Sequence, residues 1–266
     1  MGGGNLGLFY IGFWLLRRPW GWAVLLVGGI VYFFMRSAST GDSRALHQNP
    51  DGTHALANEA PEVHFVSFVL DDVQSTWSSM LDQGGKPYRH AKLVPYTDVT
   101  RTGCGSGSAS TGPFYCPTDE RVYLDLGFFH ELSSTLGARG HFAQAYVVAH
   151  ELGHHIEKVL GTMDHESSAS RGANGQSVRL ELQADCYAGI WAHSAGQRNQ
   201  LETGDIDSAL SAAAAVGDDR LQRAATGTVR PESWTHGSSQ ERKRWFTRGY
   251  DSGRLESCDT SRATAL

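Results

Sequence analysis

Two things are scarce in this chain: cysteine and concentrated positive charge. The four cysteines never occur with C-x-x-C spacing, which argues against a zinc site made of cysteines. The net charge is −5 and no cluster of Lys or Arg stands out, so we expect no nucleic-acid partner. No internal repeat is visible either. With 266 residues and ordinary apolar content, the chain can bury one main core.

An uncharged apolar run occupies residues 20–35. As a helix it would span about 24 Å, slightly less than the ~30 Å hydrocarbon core of a bilayer. Arg17, Arg18 and Arg36 flank the run and could snorkel to extend it. We predict an N-terminal transmembrane helix within a membrane anchor over residues 1–36. The alternatives are a buried core helix and a signal peptide cleaved near residues 37–39.

The remainder divides by composition into three further parts. We predict a polar linker (37–60), a main domain (61–258) and a short tail (259–266). Strands are expected at 63–70, 91–96 and 121–126. The last is expected near a sheet edge, where it could hold an extended substrate or simply be a capped edge strand. Helices are expected at 71–83, 128–136, 177–193, 206–225 and 238–250.

The most informative motif is H-E-x-x-H, formed by His150, Glu151 and His154. Apolar residues at three- and four-residue spacing predict a helix over 141–160, on which the two histidines share one face and can bind the same ion. This pattern is typical of zinc hydrolases, although twelve histidines make a chance occurrence possible. Gly153 lies between the histidines at a cost of about 1 kcal/mol in helix propensity, which indicates a close-packed neighbour.

A catalytic zinc needs three protein ligands and an open position. The metzincin pattern would require Gly and His at positions occupied by Glu157 and Leu160, so it is excluded. Glu181, on a predicted helix, is preferred as third ligand over His165 and Glu166, which fall in a Ser-rich loop. Asp185, one turn after Glu181, could accept the outer N–H of a ligand histidine. The alternative reading of Glu181 and Asp185 is a solvated acidic helix face.

These motifs resemble those of a known group. Glu181 to Asp185 read E-x-x-A-D after H-E-x-x-H, which is similar to the gluzincin pairing. The blocks GPFYCPTDERVYLDLGFF, HELGHHIEKVLG, VRLELQADCYAGIWA and WTHGSSQERKRWF resemble the neutral zinc metallopeptidases of bacteria, the YpfJ-like family. The resemblance implies an α+β, zincin-like domain, a small mixed sheet plus helices, behind a membrane anchor. It also implies one Zn²⁺ per chain and a peptide or protein substrate.

Two further residues complete the expected chemistry. Glu151 is the expected general base, which takes a proton from the attacking water and delivers it to the leaving amine. His236 is our candidate donor to the oxyanion, with an ordinary surface histidine as the alternative. His155 points elsewhere around the helix and is expected to be structural.

The cysteines can pair as two disulfides. Cys104 with Cys116 would close a short loop, and Cys186 with Cys258 would tie the C-terminal tail to the Glu181 helix. Disulfides form in oxidising compartments. We therefore expect a single-pass protein of the bacterial cytoplasmic membrane with its main domain outside the cytoplasm, against the alternative of free buried thiols in a cytosolic domain.

Two functions are compatible with the sequence. The first is a membrane-anchored zinc metallopeptidase, expected to be an endopeptidase of the gluzincin type. The second is a membrane-tethered zinc-binding interaction or assembly factor with little or no proteolytic activity. The presence of Glu151 favours the enzyme, because a purely structural zinc site does not need that carboxylate.

Overall fold

A long amphipathic helix, α1 (Ala60–Gln83), is the first element of the computed structural model, which describes residues 60–108, 112–163 and 171–266. Its buried residues recur every three or four positions: Val66, Leu70, Val73, Trp77 and Leu81. The prediction of a strand at 63–70 is therefore wrong, because one helical period runs through Asp71 without interruption. The exposed Phe68 lies off the buried stripe.

The main sheet of the described residues has three strands. Strand β1 (Lys92–Tyr96) pairs in parallel with β5 (Arg121–Asp125), and β4 (Phe114–Cys116) pairs antiparallel on the other side. The strands expected at 91–96 and 121–126 are present. The expected edge position of the latter is wrong, because β5 is central and has hydrogen-bonded neighbours on both sides. The terminal strands are β1 and β4.

A two-stranded hairpin, β2 (Val99–Thr102) with β3 (Gly105–Ser108), lies between β1 and β4 in sequence. A Cβ on Gly107 would lie 2.6 Å from the Phe114 ring, so the hairpin contacts β4 closely. The disulfide between Cys104 and Cys116 fastens the two covalently. This pairing is the one expected from the sequence.

The helix that carries H-E-x-x-H packs directly on the helix that carries Glu181. After α2 (Leu126–Ser134), capped by the Asp125 side chain, come α3 (His141–Leu160) and α4 (Gln176–Gln197). A Cβ on Gly153 would lie 2.8 Å from the Cα and carbonyl oxygen of Ala184. The close neighbour predicted for Gly153 is therefore the α4 backbone, and the two helices can approach only because no side chain intervenes.

The segment predicted as one helix at 206–225 is two helices. Helix α5 (Asp205–Ala215) ends before Gly217, and α6 (Asp218–Thr226) begins after it. A Cβ on Gly217 would lie 2.4 Å from the Ser239 amide nitrogen, so the chain turns where it meets the start of α7 (Ser239–Ser252). Ser238 and Glu241 form a capping box that begins α7. Short 3₁₀ turns occur at Pro231–Ser233 and Leu255–Cys258.

Helices α4 and α7 cross at two glycines. A Cβ on Gly189 would lie 2.1 Å from the Phe246 carbonyl oxygen, and one on Gly249 would lie 1.9 Å from that of Cys186. The expected disulfide between Cys186 and Cys258 joins α4 to the turn after α7. Gln183 adds a hydrogen bond of 2.9 Å from Nε2 to the Cys258 carbonyl oxygen. The C-terminal segment is thus bound to α4 by both packing and covalent attachment.

The described part of the chain is a mixed α and β fold, as expected. It contains no helix that is both long and apolar enough to cross a bilayer. This finding contradicts the predicted single-pass location in the cytoplasmic membrane, and we withdraw that location. The anchor (1–36) and most of the linker (37–60), on which it rested, lie outside the described residues. The domain boundaries stay predictions.

The α4–α7 crossing gives a stability prediction with an internal control. Gly189→Ala should lower the free energy of unfolding by about 1–3 kcal/mol, because the added methyl group meets backbone and the helices must separate. Gly196→Ala, in the same helix, would meet the flexible Leu201 side chain at 3.3 Å and the Tyr250 hydroxyl at 3.8 Å but no backbone, and should be neutral or slightly stabilising. Urea unfolding of both variants measures the difference. Equal shifts would contradict a tight crossing at Gly189.

Candidate metal centre

Three side chains from α3 and α4 converge on one point. His150 Nε2 lies 3.2 Å from Glu181 Oε2, and His154 Nε2 lies 3.5 Å from Glu181 Oε1. A ligand atom from each of the three residues lies within 4.8 Å of the others. Two imidazole nitrogens and a carboxylate oxygen are a donor set that suits zinc in a catalytic site. The arrangement follows from the four-residue spacing on α3 and from the close packing at Gly153.

The outer nitrogen of each histidine is held by a carboxylate. His150 Nδ1 donates to Asp185 Oδ1 over 2.9 Å, and His154 Nδ1 donates to Glu157 Oε2 over the same distance. Because Nδ1 bonds a carboxylate, Nε2 is the nitrogen of each ring that faces Glu181 and that can ligate a metal when the ring is neutral. The two carboxylates therefore fix the tautomer and the orientation that a metal ligand needs.

Burial and charge shift the pKa values of this cluster in opposite directions. Burial alone would raise the pKa of Glu181, but the charge of His154 and the hydrogen bonds from His150 and His154 together outweigh it and hold that pKa well below its usual range. Burial acts to lower the pKa of His154, whereas Glu181 and Glu157 outweigh it and raise that pKa well above normal. Burial raises the pKa of Glu157 to about 7. The carboxylates thus favour positive charge at the point where the three ligands meet.

An open pocket of about 690 Å³ lies over the three ligands. Its polar lining includes Glu151 and His236, and its walls are largely apolar. The apolar walls include Phe114, Phe128, Val147, Val216 and Leu221. Glu151 is 7% exposed, and within the described ranges no hydrogen bond or ion pair engages its carboxylate. That carboxylate is therefore available to a molecule in the pocket.

His236 is held at the pocket by Asp218, the first residue of α6. Its Nδ1 lies 3.2 Å from Asp218 Oδ1, and Asp218 Oδ2 accepts the backbone N–H groups of residues 235, 236 and 237. The hydrogen bond to Asp218 raises the pKa of His236. With Nδ1 occupied, Nε2 is the nitrogen that can act on a molecule in the pocket. The side chain is 48% exposed.

A family model described as "Putative neutral zinc metallopeptidase" matches residues 21–261. The chain belongs to this family. It is 45% identical over 243 residues to "Uncharacterized protein YpfJ" of Escherichia coli K12, covering 89% of this chain and 84% of that protein. It is also 45% identical over 207 residues to "Uncharacterized protein Rv2575" of Mycobacterium tuberculosis H37Rv, covering 74% and 69%. No solved structure matches significantly.

The expected site residues of this zinc metallopeptidase family member lie together. Asp185 contacts the outer nitrogen of His150, and Glu151 and His236 line the same pocket. The rejected ligand candidates His165 and Glu166 lie outside the described residues. His155 is fully buried between the Tyr115 hydroxyl and the Arg89 carbonyl oxygen, away from the ligands. It therefore joins α3 to β4.

Sequence reasoning missed three members of the site: Glu157, Asp218 and Arg242. Glu157 could have been found, because it lies three residues after His154 on the same helix. Arg242 shares a buried face of α7 with Trp245, Phe246 and Gly249, and this spacing marks it as an inward-pointing cation. Nothing local to the sequence pairs Asp218 with His236, because their contact depends on the turn at Gly217.

The Glu157 contact predicts an effect on metal affinity. Glu157→Gln keeps an acceptor for His154 but removes the charge, so we expect zinc affinity to fall about 10-fold, as is common for outer partners of ligand histidines. Competition titration of the purified protein with a chromogenic chelator measures this. Glu131→Gln is the matched control, because Glu131 lines the same pocket and is exposed. Equal affinities in both variants would rule out this role for Glu157.

Proposed function

We propose that this chain is a zinc-dependent metallopeptidase, an endopeptidase of the gluzincin type with a zincin-like domain and one zinc ion per chain. His150, His154 and Glu181 would hold the ion. Membership in the zinc metallopeptidase family and the His-His-Glu cluster support a zinc peptidase at the general level. The proposal goes further in assigning roles to individual residues and in naming peptide or protein substrates.

One observation carries the proposal: among the described residues, three candidate ligands, not four, meet in an open pocket that the unengaged Glu151 also lines. A structural zinc site is closed by four protein ligands, whereas a catalytic site leaves a position for water and substrate. Glu151 would be superfluous in a closed site. Its carboxylate instead lines the pocket at the ligand cluster.

Each group has a distinct task in peptide hydrolysis. Bound zinc supplies Lewis acidity, which makes water more acidic and polarises the scissile carbonyl. Glu151 accepts the proton of the attacking water and passes it to the nitrogen of the leaving amine. His236, protonated on both nitrogens and held by Asp218, donates from Nε2 to the oxyanion. Asp185 and Glu157 keep the two imidazoles in the tautomer that ligates metal.

Strand β4 offers a place for an extended peptide. It is a terminal strand of the sheet, and Phe114 and Tyr115 line the pocket. A peptide can add to a terminal strand through main-chain hydrogen bonds, while alternate side chains enter pockets. This role replaces the one considered for residues 121–126, which form the central strand.

The first test separates metal binding from catalysis. Glu151→Gln should retain bound zinc and lose peptide cleavage by at least about 100-fold, because the general base is removed while the ligands stay. Metal analysis and cleavage of a peptide library by the full chain measure the two properties, with Glu131→Gln as an active control. Zinc in both wild type and variant with cleavage by neither would favour the zinc-binding factor instead.

The second test uses pH. The raised pKa of His236 means that its protonated form is present below that pKa and is lost as pH rises through it. Activity should therefore fall at alkaline pH. Asp218→Asn removes the charged partner that raises the pKa of His236. Glu181 still raises this pKa and Arg242 lowers it. The fall of kcat at alkaline pH should therefore begin at a lower pH than in the wild type.

His236→Ala should lower kcat by roughly 10²–10³-fold, the usual loss for one oxyanion donor. It should leave zinc affinity unchanged, since His236 is not among the three clustered ligands. An unchanged alkaline limb in Asp218→Asn, together with normal kcat in His236→Ala, would remove His236 from the mechanism.

A further inference from the structure

Arg242 is a cation enclosed in the interior at the junction of α3, α4 and α7, with 2% of its side chain exposed. A buried charge is stable only when partners satisfy it. Its partner is Asp185, which is fully buried: Nε donates to Oδ2 over 2.8 Å, and Nη2 donates to Oδ1 over 3.0 Å. This is the two-pronged geometry in which a guanidinium fixes the plane of a carboxylate.

The orientation of Asp185 decides the orientation of His150. Asp185 Oδ1 accepts from His150 Nδ1, from the Tyr146 hydroxyl and from Arg242, while Oδ2 accepts from Arg242 Nε. Arg242 Nη2 also donates to the Tyr146 hydroxyl over 3.2 Å. Without the guanidinium, Oδ2 would lose its hydrogen bond and the carboxylate could rotate. His150 would then lose the fixed acceptor that aims its Nε2 at the other ligands.

The same guanidinium also contacts the ligands directly. Nη2 lies 3.2 Å from His150 Nδ1 and 3.3 Å from Nε2. An atom in the ring plane at nearly equal distance from both nitrogens would collide with the carbon between them, so Nη2 lies against the face of the imidazole. It is also 3.8 Å from Glu181 Oε2. Arg242 thus reaches one ligand ring and one ligand carboxylate besides Asp185.

We propose that Arg242 is a positioning residue of the metal centre, so that the C-terminal helix α7 is part of the site that holds the ion. The crossing at Gly189 and Gly249 places α7 close enough to α4 for this contact. If Arg242 only joined two helices through an ion pair, its contact with Asp185 would be enough. Its contacts with His150 and Glu181 would not be needed. The inference rests on the proposed metal centre and is independent of peptide cleavage.

The test measures metal binding by the full chain. Arg242→Met keeps an unbranched apolar stem but removes the charged fork, and Arg242→Lys keeps the charge without the two-pronged contact. Both should raise the zinc dissociation constant, by about 10–100-fold for Arg242→Met. The visible absorption bands of the cobalt(II)-substituted protein, which report ligand geometry, should change in position or intensity in both variants.

Arg198→Met is the matched control. Arg198 also pairs with an aspartate from another helix, Asp72, at 2.6 Å, and its loss should lower the melting temperature without altering zinc affinity or the cobalt spectrum. Folded Arg242→Met or Arg242→Lys with wild-type affinity and spectrum would overturn the proposal. If Arg242→Met does not fold, Arg242→Lys decides alone. Absence of zinc binding by the wild type would overturn the metal centre itself, whereas binding without cleavage would overturn only the peptidase.

Discussion

The structure depends on the direct contact between the backbones of α3 and α4 at Gly153 and Ala184. Helices with side chains at a crossing stand about 8–10 Å apart. Removing the side chain at Gly153 allows a closer approach, and this approach lets Glu181 reach both imidazoles. The glycine lies inside the motif itself, so the residue that costs helix stability also permits the three candidate ligands to meet. Helix propensity is thus lowered at Gly153, and the close packing of α3 on α4 compensates for the loss.

The residues of the site around this contact come from three helices that are distant in sequence. His150 and His154 lie on α3, Glu181 and Asp185 on α4, and the cation that holds Asp185 on α7. Buried polar groups of this kind are stable because nearly every donor and acceptor is used. The Cys186–Cys258 disulfide links the residue after Asp185 to the turn after α7. The disulfide and the ion pair between Arg242 and Asp185 thus connect the same two segments, α4 and the segment formed by α7 and the turn after it.

Much of the site could be predicted from the sequence because its residues recur at the spacing of an α-helix. The four-residue intervals in His150 to His154 and in Glu181 to Asp185 predict shared faces without any knowledge of the fold. Residues 63–70 were misread as a strand because a short apolar run has no clear period, and the helix becomes evident only when Trp77 and Leu81 are included. The central position of β5 could not be recognised from the sequence, because the hairpin and β4 lie between β5 and its parallel partner β1 in the chain.

Spacing marks Arg242 as an inward-pointing cation, but the partners of Asp218 and Arg242 could not be found from spacing alone. Each acts on a residue far away in sequence, and each contact exists only after helices have packed. Asp218 meets His236 because the chain turns at Gly217, just before α6, where it contacts the start of α7. Arg242 meets Asp185 because two glycines let α4 and α7 cross closely. Tertiary packing, rather than local preference, selects these partners.

Arg242 lies on α7, which follows both sequence motifs, and this order matters when fragments of the chain are interpreted. A protein shortened before α7 would still contain H-E-x-x-H and E-x-x-A-D in full, and a motif search would count it as a complete enzyme. Its Asp185 would nevertheless be left in the interior without a cation.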